Sequence, residues 1–376
     1  LYSDVGMNLA GYLVEAISGV PFAQYIEQNI LQPLDMRRSS FVQPLPPQLA
    51  SDLAVGYKYK NGTYERRPFA FSNTFAGNGM MATVTDLAHF ALAQLQNGRY
   101  GTARILNEAT VSEMHRRQFA NDPRMIGSGY GFYEDSIDDK LLILHNGRLN
   151  GYTSKLVLLT DQNLGLIVTC NNNPTPLNDE LVKAFLERYY PVQEKPIPPS
   201  QGHPTSQEFI QKLGGTYRYN RYPHHTLEKL AAVFGEAPEV PVFVGKDGTI
   251  SMYVPENKAV EVEPLFFRTL YSDTSMTFRQ DGRGRITYMF LGDSAFGALE
   301  KLAWYETKDF QVKLVVFCTL VFFSTCIVGS ISWLIRRTGK PSVKTSKMAR
   351  LAQLLAVLVS ALNLIFFIGL GWVVLN

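Results

Sequence analysis

Apolar residues recur at helical spacing in the first stretch of the chain, where Val5, Leu9, Tyr12, Leu13, Ala16 and Ile17 fall on one face. Asp4 is the expected N-cap and Gly19 the stop. Pro21 opens a second helix through Phe22, Tyr25, Ile26 and Ile30. Thr85 is expected to cap a third, DLAHFALAQLQ, which ends at Gly98, and Asn107 to begin a fourth, EATVSEMHRR. The pattern then shortens. A run over 141–144 leads into His145-Asn146-Gly147, and two more runs, 154–159 and 164–170, are separated by the turn formers Thr160-Asp161-Gln162-Asn163. A closing helix is expected near 178–189. Helices first and an antiparallel meander later predict an α+β layer architecture for residues 1–190.

Residues 191–204 are proline-rich and read as a linker. From 205 to 305 the texture turns to β, with short alternating runs broken by Asp247-Gly248 and Asp281-Gly282, both hairpin signals. A small all-β accessory domain, a sheet or a barrel without a catalytic constellation, is expected there. Two apolar stretches end the chain, 310–335 with Lys313 as its one charge and 351–375 with none. Each exceeds the roughly 20 residues that cross a hydrocarbon core. A soluble helix is rarely apolar on every face for so long. Two transmembrane helices are therefore expected.

Charge gives their orientation. The chain of 376 residues has a net charge of +3, and its segment 336–350 holds six Lys or Arg and no acid. The remainder is 3 − 6 = −3, which leaves no basic surface for nucleic acid. The basic loop 336–350 belongs on the cytoplasmic side, so residues 1–305 are expected outside the cytoplasm, on a multi-pass protein of the cell membrane whose partner is the lipid bilayer. Three cysteines, Cys170, Cys318 and Cys326, have no spacing for a metal site or a disulfide framework, and no cofactor is expected.

Three segments carry chemistry. The opening LYSDVGMNLAGYLVEAISGVPFAQYIEQNILQPLDM, the segment AGNGMMATVTDLAHFALAQLQNG and the strand HNGRLNGYTSKLVLLTDQNLGLIVTCNNN stand in that order within 1–190. Together they resemble the family of class C β-lactamases, penicillin-binding proteins, DD-peptidases and related esterases. The resemblance implies a β-lactamase-like fold and acyl-enzyme chemistry on peptide, β-lactam or ester bonds. Tyr2 matches the tyrosine of the family's Tyr-x-Asn motif, and Asp4 stands where the family has Asn. An ionised acid cannot donate like an amide, so Asp4 reads equally as a substrate contact or a plain helix cap. His145 takes the place of the lysine in Lys-Thr-Gly, Gly147 would let the strand edge approach substrate, and the backbone N–H of Arg148 would be an oxyanion donor. Catalytic roles thus fall to Tyr2 and His145, and substrate binding to Asp4, Gly147 and Arg148. His89, His115, His224 and His225 have no comparable context.

Acyl transfer needs a nucleophile, a base and oxyanion donors. In the resembled family the nucleophile is the serine of Ser-x-x-Lys, upstream of the tyrosine motif. No serine in this sequence has lysine three residues on, and there is no Gly-x-Ser-x-Gly elbow. The chain is therefore expected to be the C-terminal part of a hydrolase, inactive alone. The alternative is a non-catalytic, membrane-tethered protein that uses the same fold to recognise cell-wall peptides.

Overall fold

The computed structural model describes residues 2–137, 140–191, 205–226, 229, 238–270, 274–292, 295–339 and 346–375. Of the expected linker 191–204 all but residue 191 lies outside these, as does 340–345 of the basic loop. The chain divides into two compact units, one of Leu1–His203, Val260–Thr277 and Phe290–Gly297, the other of Pro204–Ala259, Phe278–Met289 and Ala298–Asn376.

In the first unit, helix α1 (Asp4–Ser18) is capped by Ser3, whose hydroxyl accepts from the Gly6 N–H at 3.1 Å. Asp4, expected as the cap, is the first helical residue instead. A serine hydroxyl one position earlier reaches the orphan amide and leaves the carboxylate to face the positive end of the helix. Gly19 ends the helix in the left-handed region at φ 69°, as its lack of a Cβ allows. The apolar stripe of α1 does not enter a core: Val5, Leu9 and Ile17 are 71%, 58% and 86% exposed. Only Gly11 is buried.

Helix α2 (Phe22–Ile26) runs into a π-turn over Glu27–Leu31. After the short α3 (Pro47–Ala50) comes the hairpin of β1 (Gly56–Lys60) and β2 (Thr63–Arg67), then α4 (Phe75–Asn78) and α5 (Val84–Leu95). Thr83, not Thr85, caps α5, accepting the Asp86 N–H at 3.2 Å. Thr85 lies within the first turn, because the helix begins two residues before the expected point. Asp86 then uses its own carboxylate elsewhere: Oδ2 accepts the Arg38 N–H at 2.8 Å and the Ser39 hydroxyl at 2.7 Å, closing a buried cross-link from helix to loop.

The two-residue strands β3 (Arg99–Tyr100) and β4 (Ala103–Arg104) precede α6 (Glu108–His115), capped by Asn107 as expected. The main sheet follows from β5 (Phe119–Ala120), β6 (Gly127–Ser128), β7 (Tyr133–Ile137), β8 (Lys140–Leu149), β9 (Tyr152–Leu159) and β10 (Leu164–Cys170). It is antiparallel, in the order β10-β9-β8-β7-β6-β5. Alternation along its strands feeds two cores. Leu142, Leu144, Val157 and Leu159 pack with Val182 and Leu186 of α7 (Leu177–Tyr189), while Ile143, Leu156 and Leu158 pack with Ala91 of α5 and with Phe132. These helices and this sheet make the β-lactamase-like α+β fold.

After α8 (Gln207–Gln211), eight strands close a barrel in sequence order: β11 (Gly215–Tyr219), β12 (Glu239–Val244), β13 (Ile250–Met252), β14 (Lys258–Glu263), β15 (Phe266–Thr269), β16 (Ser275–Gln280), β17 (Ile286–Leu291) and β18 (Ala298–Lys301). The Asp247-Gly248 signal marks a tight turn, with Gly248 at φ 78°. Within the second unit, β18 returns to β11 with Arg218 opposite Glu300. A turn over Trp304–Glu306 then enters helix α9 (Lys308–Thr338). One carboxylate joins wall and helix: Glu239 Oε1 accepts from Arg218 Nη2 at 2.6 Å and from the Lys308 N–H at 2.8 Å, while Arg218 also donates to the Glu306 carbonyl at 2.8 Å.

Helix α9 has 31 residues and α10 (Lys347–Leu375) has 29, each long and apolar enough to cross a membrane. They pack where Gly329 leaves room for the Val357 side chain, and Arg336 donates to Gln353 at 2.6 Å.

Candidate active site

Tyr2 is the residue before the Ser3 cap, so its position follows α1. That helix is seated from below by α4. The Ala76 N–H donates to Asn8 Oδ1 at 3.3 Å, and a Cβ on Gly77 would stand 3.3 Å from the Asp4 carbonyl. Phe22 lies edge-on to both Phe41 and Phe75, at 5.3 and 5.6 Å, beneath the same junction.

His145 enters from the sheet, on β8 opposite Leu156 of β9. The two residues meet through two further aromatics. Tyr2 and Phe296 have ring centroids 5.6 Å apart, Phe296 and Tyr133 5.3 Å, and Tyr133 and His145 5.6 Å. All four belong to the first compact unit. Tyr133 begins β7, and its hydroxyl accepts the N–H of Asn146 at 2.7 Å.

That hydrogen bond fixes the edge of β8. The pairing of β7 with β8 ends at Tyr133 opposite Leu144. Strand amides alternate between edges, so with the Asn146 N–H aimed at Tyr133, the Arg148 N–H points the same way, along edge that β7 does not reach. Gly147 pairs with Ser154, and a Cβ there would overlap the Ser154 hydroxyl. The space left by the glycine is thus occupied from the neighbouring strand. Asp4 stands two residues beyond Tyr2 on the first turn of α1.

The electrostatics of the cluster are those of a half-buried aromatic site. Burial lowers the pKa of His145, against a smaller upward pull from a hydrogen bond to the Asn146 backbone, so the ring is neutral at neutral pH. Burial also raises the Tyr133 phenol well above its ordinary value, with the Asn146 N–H pulling weakly down and Tyr2 adding a small upward push. Tyr133 is thus a neutral phenol that holds the strand.

Tyr133 and Phe296 were not legible as site residues. Tyr133 lies in GYGFYEDS, just before the apolar run that drew attention to β8, and Phe296 sits in AFGALE, within the β region that lacked a catalytic pattern. The other histidines have local roles. His89 Nδ1 contacts the Leu34 carbonyl at 2.9 Å, and His115 Nε2 contacts Gln94 Oε1 at 3.1 Å. Among the described residues no group of three His, Cys, Asp or Glu is placed to hold a metal ion.

The family model and the curated relatives match up to half of the chain. The Beta-lactamase family model matches residues 1–187. Protein flp of Staphylococcus aureus (strain MW2) is 25% identical over 191 residues, 50% of this chain and 35% of that protein. A putative D-alanyl-D-alanine carboxypeptidase of Salmonella heidelberg (strain SL476) is 25% identical over 138 residues, 31% of this chain and 32% of that protein. The chain thus spans about a third of the length of these curated relatives. Among solved structures, the crystal structure of SurE shares the fold with a TM-score of 0.53 at 19% identity, covering 80% of this chain and 68% of that one. With its α+β layers and the family match, the segment 1–187 of this chain is a Beta-lactamase family domain.

Proposed function

We propose that the protein carrying this chain is a membrane-anchored, extracytoplasmic serine hydrolase that works through an acyl-enzyme. The observation that supports it most is the gathering of Tyr2, Tyr133 and His145 beside the open stretch of the β8 edge. A serine with its lysine, supplied from outside these 376 residues, gives its proton to the Tyr2 phenolate, which that lysine's charge holds ionised, and attacks the substrate carbonyl. The Arg148 N–H donates to the oxyanion that forms. The C–N or C–O bond then breaks, the leaving group takes the proton, and water hydrolyses the acyl-serine. His145 holds the phenol side of the site as a neutral hydrogen-bonding ring, and Asp4 and Gly147 border the substrate. The substrates are peptide, β-lactam or ester bonds. The carboxypeptidase named among the relatives favours peptides of D-amino acids. Helices α9 and α10 tether the protein with the basic loop 336–350 in the cytoplasm.

One observation favours a second reading, a tethered protein that binds wall peptides without cleaving them: the sequence contains no Ser-x-x-Lys. Labelling membranes that contain the full-length protein with a fluorescent fluorophosphonate separates the two. The hydrolase reading expects label on a serine of an upstream Ser-x-x-Lys, lost in Tyr2→Phe. A well-folded protein that takes no label and turns over neither esters nor β-lactams establishes the binding protein.

A further inference from the structure

The fourth aromatic of the cluster does not come from the helices or the main sheet. Phe296 lies in the connection between β17 and β18 of the barrel, 163 residues along the chain from Tyr133. Its described residues are hydrogen-bonded on both sides of that phenylalanine. The Leu291 N–H donates to the Gly297 carbonyl at 3.2 Å, and the Gly292 N–H to the Ser275 carbonyl at 2.7 Å. Ala295 and Gly297 on either side are buried, while Phe296 between them is half-buried, its ring turned to Tyr2 and Tyr133.

A second tie secures the same part of the unit. Arg124, in the loop between β5 and β6, donates to Glu263 Oε2 and to the Pro264 carbonyl, both at 3.2 Å. It also donates to Thr277 Oγ1 at 3.3 Å and lies over the Phe266 ring at 4.7 Å. Asp122 holds the guanidinium through two bonds of 2.9 Å. The segments 260–277 and 290–297 are thereby tied into the compact unit that contains the candidate site.

We infer that Phe296 is a specificity-determining wall of the substrate site, selecting acyl groups that carry an aromatic or branched apolar side chain. This rests on the hydrolase reading above. An apolar ring set between two phenols offers area and no hydrogen bond, so it discriminates by side-chain bulk and contributes nothing to the reacting atoms. Losing it weakens binding of a bulky apolar acyl group relative to a small one. The signature is a rise in KM for bulky acyl groups relative to small ones.

The test uses the full-length protein and three probes: a small fluorophosphonate, p-nitrophenyl acetate and p-nitrophenyl phenylacetate. In Phe296→Ala the ratio of kcat/KM for phenylacetate over acetate falls about 10-fold, through KM. Phe296→Tyr keeps the ratio, and Phe296→Leu falls between, so the series remains readable if the alanine variant folds poorly. An unchanged ratio across the series in a protein that labels normally overturns the wall and leaves the hydrolase reading standing. A wild-type protein that neither labels nor turns over ester overturns both.

Discussion

Gly11→Ala is the sharpest test of how Tyr2 is held. Gly11 is the one buried residue of α1, and an ideal Cβ there would overlap the Ala76 methyl and lie 3.3 Å from two carbons of the Phe22 ring. On propensity alone the change stabilises a helix by about 1 kcal/mol. Overpacking a filled contact costs about 1–3 kcal/mol. The upper part of that range applies, because Phe22 is fixed edge-on between Phe41 and Phe75 and Ala76 is tied to Asn8 through its own N–H. The net is a loss of about 2 kcal/mol, which is roughly a 30-fold larger open population. Because the apolar stripe of α1 is exposed, this loss should be local. Hydrogen exchange of the 4–18 amides should quicken by that factor while β8 and β9 keep their protection. Adding Ala76→Gly should return most of it. Protection of α1 that is unchanged or higher in Gly11→Ala would refute the reasoning, since propensity would then be the only effect at work.

Two further outcomes follow from buried ionisable groups. Arg218 has a side chain 4% exposed and shares Glu239 with the start of α9, so Arg218→Met strands a carboxylate and should destabilise the second unit by about 3–5 kcal/mol. Thermal unfolding in detergent measures it, Arg218→Met/Glu239→Leu should recover most of the loss, and a single variant as stable as wild type would count against the pair. His145 has a pKa below its ordinary value of 6.5 through burial, so above that pH it adds no pH dependence. As the pH falls below 6.5 the unfolded chain takes up the proton first, and stability declines until the folded ring also protonates. Wild type should therefore lose more stability than His145→Gln between about pH 7 and pH 5, and parallel profiles would contradict it.

The sequence pattern located helices and strands well because each reports locally. The Gly19 stop, the Asn107 cap, the turn at 160–163 and the Asp247-Gly248 hairpin all depend on residues a few positions apart. Caps were displaced where two candidates stood close together, with Ser3 beside Asp4 and Thr83 two before Thr85, because only geometry decides which oxygen reaches the orphan amide. Periodicity also named the apolar face of α1 correctly without saying what covers it, and the face is exposed. The candidate site was half legible. Tyr2 and His145 lie in recognisable motifs, whereas Tyr133 and Phe296 join them through contacts between distant segments that no local pattern encodes.

The shared Glu239 carboxylate has a mechanical meaning. Arg218 on the barrel wall, the Glu306 carbonyl and the first amide of α9 are joined by three hydrogen bonds. A helix 31 residues long spans about 46 Å and leans when the surrounding hydrocarbon is thinner than its apolar length. With a hinge, that lean would be absorbed by the connection. In the tethered protein proposed above it is passed through Glu239 to Arg218 and β11.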